Sequence, residues 1–480
     1  MLPSSNPPGR LLGALSAAAL LAGCATDLGP RPALIGSDQM QASRTFAAAP
    51  AAGVQLDEKW WEAFGDPQLS RLIDEAVADS PGLSIAAARI AQADAAADRT
   101  GALAGPNAGA DAAVQGVRQS LNNGFPASFK SFLPQGWKGQ ARVSANLNYE
   151  LDFFGRNRAA LAAATSNAEA VRADAAAARL TLSTAIAGAY ADLAQQYADR
   201  DAVNEAIAVR TQSAGLLQQR FQQGLETRQP AARAEAAIAT SRTDLAQVGG
   251  RIALVRNQLA ALLGKGPDRG MTIERPAASK LVPIAIPNVL ASDLVGRRPD
   301  VAAARARAQA AASREDKAHA DFYPSINLAA VAGLQSLPIT TLLTGDSQFG
   351  TAGPALSLPV FDGGAREDAQ RGARASYLEA AAVYQQTVIQ AYRDVADALS
   401  ERRALDGQLA QARAAVASGE EARDLADKRY RAGLERYTTV LDAQDQTLIA
   451  RRRFSDLEAS AFIIDIALIR ALGGGYRTPS

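Results

Sequence analysis

Two hydropathy periods alternate along this chain. From Arg156 to Gln223 no proline occurs, and Ile186, Tyr190, Leu193 and Tyr197 recur three and four positions apart. That spacing predicts one unbroken helix, whose roughly 67 residues would span on the order of 100 Å at 1.5 Å per residue. Gly224 breaks it, and a return helix over about 226–263 closes at Leu263-Gly264. Upstream, Ser80-Pro81 opens an alanine-rich helix over about 82–104, with Ser as cap and Pro in the first turn. After Pro106 the period falls to two. Val143, Ala145, Leu147, Tyr149 and Leu151 alternate with Arg142, Ser144, Asn146, Asn148 and Glu150, a strand with one apolar and one polar face. Residues 107–117 alternate more weakly and predict its partner. Between them a polar loop holds Phe125, Phe129 and Phe132, expected to pack it down.

The same order then repeats. Arg220-Phe221-Gln222-Gln223-Gly224-Leu225-Glu226 recurs as Arg429-Tyr430-Arg431-Ala432-Gly433-Leu434-Glu435 (429 − 220 = 209), and Pro81 and Pro106 recur as Pro299 and Pro324 at an offset of 218. A repeat of this length is one structural unit made twice. The second copy predicts a helix ended by Pro324, strands at about 325–335 and 351–361, a long helix over about 366–432 and a last helix over about 437–472. Leu405, Leu409, Ala412, Val416 and Gly419 mark a coiled-coil seam on that long helix. The expected organisation is a leader at 1–23, a tether at 24–57, repeats at 58–264 and 265–473, and a tail at 474–480.

The front end changes the setting. Arg10, a short apolar run from Leu11 to Ala22, and Leu21-Ala22-Gly23-Cys24 read as a secretory leader ending in a lipobox. Cys24 is the only cysteine, and it stands where a bacterial lipoprotein is acylated. A lipid there would anchor the N-terminus to a membrane, and in the sorting rule that the lipobox resemblance implies, Ala25 beside it favours the outer membrane. No apolar stretch after residue 24 is long enough for a spanning helix, so any crossing must be made by strands. Net charge is +1, which gives no reason to expect nucleic acid. A single histidine, His319, makes neither a metal cluster nor a triad, and no nucleotide-binding fingerprint occurs. No cofactor is expected beyond the lipid on Cys24, and no enzyme.

The predicted class is therefore mostly α with a small β part. Four strands of about ten residues suit a membrane barrel, but barrels start at eight strands and open edges are not tolerated in lipid. Three chains would supply twelve strands. The chain resembles the TolC-like outer-membrane efflux proteins, in particular their acylated branch serving resistance-nodulation-division pumps. Trp60-Trp61, Phe64-Gly65-Asp66-Pro67, Arg298-Pro299-Asp300-Val301, Tyr323-Pro324-Ser325-Ile326 and Leu358-Pro359-Val360-Phe361-Asp362-Gly363-Gly364 carry the resemblance, with the lipobox and the Arg429 to Gly433 turn. It implies a homotrimer with a twelve-stranded outer-membrane barrel continued by a long α-helical periplasmic barrel. A periplasmic adaptor (membrane fusion) protein would join it to an inner-membrane pump, and the function would be a passive exit duct for small toxic compounds.

Site residues follow from that likeness. The turns at Gly224 and Gly433, with Arg220, Leu225, Arg429 and Leu434, are expected to meet the adaptor. Asp442 matches an aspartate-ring position at the closed periplasmic end, Asp445 lies three residues on, and Tyr430 matches an aromatic gate position. Asp445 stands where an arginine often does, so a ring ion pair is in doubt and carboxylate repulsion would loosen the resting gate. Arg142, Asn146, Asn148 and Glu150 are expected to line the barrel lumen, with Val143, Leu147, Tyr149 and Leu151 facing lipid. Trp60 and Trp61 are expected to pack in a collar. A second reading stays open: a lipid-anchored periplasmic coiled-coil adaptor or scaffold, which extraction would distinguish.

Overall fold

Helix breakers set nearly every boundary. The structure, a computed structural model, describes residues 28–36, 40, 57–122, 124, 126–276 and 297–477. Cys24 and the leader lie outside the described residues, as does Phe125. In chain order the elements are α1 (Pro67–Asp79), α2 (Pro81–Leu103), β1 (Asn107–Arg118), β2 (Trp137–Leu151), α3 (Arg156–Gln222) and α4 (Arg228–Leu262). They continue with a one-turn α5 (Asp268–Met271), α6 (Pro299–Ala320), β3 (Ser325–Ser336), β4 (Gln348–Ser357), α7 (Ala365–Arg431) and α8 (Tyr437–Ala471). Both long helices, α3 and α7, have 67 residues. No helix among the described residues is long and apolar enough to cross a membrane.

One expected boundary moves. Alternation predicts the fourth strand at about 351–361, but β4 starts at Gln348 and ends at Ser357. Its register closes with Ser357 opposite Ser325, where β3 begins. Beyond it Pro359 has no N–H for a ladder, and its carbonyl instead accepts from Arg366 at 2.8 Å. Phe129 and Phe132 do not pack the first loop down; they are exposed, with ring centroids 6.4 Å apart.

The chain forms two compact units, and each draws on both sequence repeats. Among the described residues the first comprises 28–33, 91–170 and 305–382. It holds a four-stranded antiparallel sheet in the order β1-β2-β3-β4. The central pairing, β2 with β3, joins strands from opposite repeats, which is why the units cut across the duplication. A short extended segment lies along its helices. Arg374 of α7 donates to the Gly29 carbonyl at 2.9 Å and to Glu315 of α6 at 2.7 Å, while Arg31 donates to the Ala312 carbonyl at 2.8 Å. Glu315 is buried and its carboxylate takes both arginines, Arg31 at 3.7 Å.

Among the described residues the second unit comprises 34–36, 40, 57–90, 171–276, 297–304 and 383–477. Its main core gathers Trp60, Trp61 and Phe64 with Leu69, Leu72 and Ile73 of α1. Ile186, Tyr190 and Leu193 of α3, Ile252 and Leu259 of α4, and Phe462 and Ile466 of α8 complete it. The tryptophans thus pack in this core. Asp66 caps α1 by accepting from Gln68 N at 2.8 Å, and its other oxygen takes the Tyr190 hydroxyl at 2.8 Å. The coiled-coil seam is met by α8: Leu405 and Ala412 pack with Leu457 and Ile464, and Thr447 donates to the Gly419 carbonyl at 2.9 Å. Arg298, opening the Arg-Pro-Asp motif, is buried and binds Asp300 at 2.7 Å and Asp394 of α7 at 2.9 Å. Those two carboxylates hold its guanidinium charged against the cost of burial.

Candidate functional site

Strand register decides what the sheet shows to each side. In an antiparallel pair, residues directly opposite share a face. Arg142 faces Ala113 and Gln335, Asn146 faces Gly109 and Val331, and Asn148 faces Asn107 and Ala329. Extending that pairing across all four strands puts Asn107, Asp111, Gln115, Gln140, Arg142, Ser144, Asn146, Asn148, Glu150, Asn327, Gln335 and Thr351 on one face. The other carries Ala110, Val114, Val143, Leu147, Tyr149, Ile326, Leu328, Ala332, Leu334 and Leu356. All four expected lumen residues therefore share the polar face, and the four expected lipid-facing ones share the apolar face. Val143 and Leu147 are each nearly half exposed.

The polar face is not uniform. Gln115 donates to Gln140 across β1 and β2 at 2.9 Å. Asn146 lies over Gly109, where an added Cβ would meet its oxygen at 2.6 Å. Glu150, at the helix end of β2, is neutralised by Arg156, which also approaches Asp321 at 3.9 Å. Its charge belongs to the strand–helix junction.

The two glycine turns are built alike. Gly224 has φ of 73° and Gly433 of 77°, the left-handed region that glycine tolerates. At the first, Leu225 N donates to Arg220 O at 2.8 Å and Gly224 N to Phe221 O at 2.9 Å. At the second, Leu434 N donates to Arg429 O and Gly433 N to Tyr430 O, both at 2.9 Å. These paired bonds are the Schellman closure, which satisfies the last carbonyls of a helix. A leucine in that following position ordinarily packs back on its helix; here Leu225 is 66% and Leu434 71% exposed.

Tyr430, the expected aromatic gate residue, is packed within the chain. It is 4% exposed, packed with Tyr437 at 5.5 Å between ring centroids, in a cluster with Leu217, Ala231 and Val440. The Arg220 guanidinium lies 5.1 Å from its ring centre, and its hydroxyl donates to Glu226 at 3.4 Å. Burial pushes the phenol above its ordinary pKa, opposed by Arg220 and aided by Glu226. In this conformation Tyr430 ties one helical hairpin to the other.

Asp442 and Asp445 lie on α8, three residues apart, and share a face. Asp445 is not left to repel its neighbour. The Arg210 guanidinium of α3 binds its carboxylate, and the same guanidinium reaches Ser241 Oγ and, at 3.2 Å, the Ala237 carbonyl of α4. Arg451 of α8 makes a second tie, to Glu205 of α3 and, at 3.0 Å, to Glu420 of α7. Arg210 and Arg451 escaped the sequence reading because each partner is distant in the chain. A signal existed: Arg210 corresponds to Gly419 in the second copy (210 + 209), and Asp445 to Ala236 in the first (445 − 209), so the partners are both breaks in the repeat. Among the described residues no acidic, histidine or cysteine group could hold a metal. His319 packs edge-on against Tyr323 at 5.6 Å and reaches Gln370 at 3.3 Å.

A four-stranded sheet with one wet and one dry face, in a chain of duplicated long helical hairpins, has the makings of an outer-membrane channel subunit. The model of the outer membrane efflux protein family matches residues 72–265 and again 290–474, so the chain belongs to that family. It is similar to the fusaric acid resistance protein FusA of Burkholderia cepacia, 35% identical over 367 residues, 75% of this chain and 68% of that one. It is 31% identical over 424 residues to the multidrug resistance outer membrane protein MdtP of Escherichia coli K12, covering 87% of this chain and 86% of MdtP. The crystal structure of the outer membrane protein VceC from Vibrio cholerae superposes with a TM-score of 0.82 at 37% identity, covering 88% of this chain and all of VceC. The chain is an outer-membrane efflux channel protein, with the TolC-like fold that the resemblance implied.

Proposed function

We propose that three copies of this chain form a passive exit duct for small toxic compounds, with four strands from each copy closing a twelve-stranded barrel. The observation that carries the reading is the register-aligned sheet. Its dry face suits lipid, its wet face suits a lumen, and β1 and β4 each keep an edge unpaired within the described sheet. Such edges cannot stand in hydrocarbon, and pairing β1 of one copy with β4 of the next satisfies both in a closed ring. The lipid on Cys24 anchors each copy. The protein conducts and does not catalyse, and needs no cofactor beyond that lipid.

The partners are a periplasmic adaptor, engaging the exposed leucines of the Gly224 and Gly433 turns, and an inner-membrane pump of the resistance-nodulation-division class that supplies the energy. Asp442 and Asp445 of three copies form the resting constriction, with Arg210 as the latch. Relatives are named for fusaric acid resistance, multidrug resistance and pyoverdine export, which supports a cargo class of small organic toxins and chelators.

Extraction and complementation test this. With Cys24→Ser behind a cleavable leader, the protein still requires detergent for release and runs as a trimer, and its deletion raises sensitivity to toxic compounds. A monomer released by salt alone would refute the barrel and return the lipid-anchored adaptor.

A further inference from the structure

The polar face of the sheet carries one side chain in an unexpected posture. Arg142 of β2 does not rise straight off the sheet. Its guanidinium carbon lies 4.7 Å from the ring centre of Phe349, on β4. Strand β3 runs between them, and the residue opposite Phe349 there is Gly333, which also faces Ser144. Gly333 adds no side chain between Ser144 and Phe349, and the close approach of β2 requires glycine there: a Cβ at 333 would collide with the Val143 carbonyl and come within 2.7 Å of Ser144 Cα. The 4.7 Å contact from β2 to β4 lays Arg142 across β3 with its charge against the sheet.

We propose that Arg142, laid flat across Gly333 onto Phe349, is the charge-selecting residue of the membrane pore. This rests on the reading that the polar face lines the lumen. Threefold symmetry puts three such guanidiniums at one height. A ring of fixed positive charge favours anions and opposes cations. Lying flat, it does so without narrowing the passage. Arg142 falls five residues into β2 from the loop end, about 17 Å along a strand rising 3.3 Å per residue. Glu150 does not cancel the ring, because Arg156 neutralises it. The other charges on this face of the described strands are Asp111, which faces Ser144, and Lys138, which faces Val117. An exposed arginine–aromatic contact of this kind favours the held posture over the free one by roughly two- to fivefold.

Purified trimers in planar bilayers under a potassium chloride gradient test the proposal. Arg142→Gln should shift the reversal potential toward that of potassium. Phe349→Leu keeps bulk but loses the aromatic face; it should leave the sign of selectivity unchanged while lowering single-channel conductance, as the freed arginine enters the passage. Phe349→Tyr should retain wild-type conductance. An unchanged reversal potential in Arg142→Gln overturns the selectivity role, and unchanged conductance in Phe349→Leu overturns the held posture. Asn148→Cys, on the same face, separates the two levels of the argument. If a charged, membrane-impermeant thiol reagent alters the current of that variant, the face lines the pore and a silent Arg142→Gln sinks only this inference. If the reagent added from the aqueous phase fails to label the Asn148→Cys variant, the lumen reading itself fails.

Discussion

Replacing Asp445 by Ala tests the latch directly. The Arg210 guanidinium is 6% exposed and would keep Ser241 and Ala237 as acceptors while losing the carboxylate that balances its charge. Asp445 itself is 56% exposed, so this is neither a surface pair nor a fully buried one. A hydrogen bond to a charged group contributes about 1.5–3 kcal/mol, below the 3–5 kcal/mol or so lost when a fully buried pair is broken. Because the pair ties α3 to α8, that loss falls on the latched state, and it corresponds to roughly a ten- to 150-fold shift toward release per subunit. The assay is open probability of single trimers in planar bilayers, with sensitivity of cells to a large antibiotic normally kept outside as the second readout. Both should rise. Arg210→Ala should rise similarly, and the double variant should add little, since each substitution breaks the same contact. Unchanged open probability and sensitivity at full trimer levels would refute the latch.

Other outcomes follow from the same contacts. Asp66→Ala removes the cap of α1 and the acceptor of the buried Tyr190 hydroxyl; a loss of about 2–4 kcal/mol is expected from cap and orphaned donor together, read as a lower melting temperature of detergent-held trimers. Gly433→Pro loses the N–H that bonds Tyr430 O and cannot hold φ of 77°; trimers should still reach the membrane while drug resistance is lost, and normal resistance at full protein levels would dismiss the tip's role in adaptor contact. Asp199 is buried in the second unit, and burial first, then the charge of Asp456, pushes its pKa above the usual carboxylate value. The folded state then binds more protons than the unfolded one above that usual value, so the stability Asp199 contributes falls as pH rises. Asp199→Asn should raise the melting temperature at neutral pH, with the gain shrinking on acidification; a pH-independent difference would contradict that sign.

The sequence by itself determined the helices, the turns and the duplication. Proline, glycine and a three-to-four spacing act within a few residues, and they set α2, α3, α4, α7 and α8 to within one or two positions, whereas α6 stops at Ala320, short of the Pro324 expected to end it. Alternation likewise told β2 which side would be wet. Alternation overruns the fourth strand because Leu358 and Val360 keep the pattern past Ser357, while β3, the partner they need, begins at Ser325 opposite Ser357. Tertiary structure alone decided which elements meet. Pairing of β2 with β3 merges the two repeats into one sheet and aligns polar residues that are far apart in sequence. It also gave Asp445 the partner Arg210, buried Tyr430 between two hairpins, and carried Arg142 across Gly333 to Phe349. Such contacts depend on register and on helices brought together from opposite repeats, and no local pattern of residues encodes them.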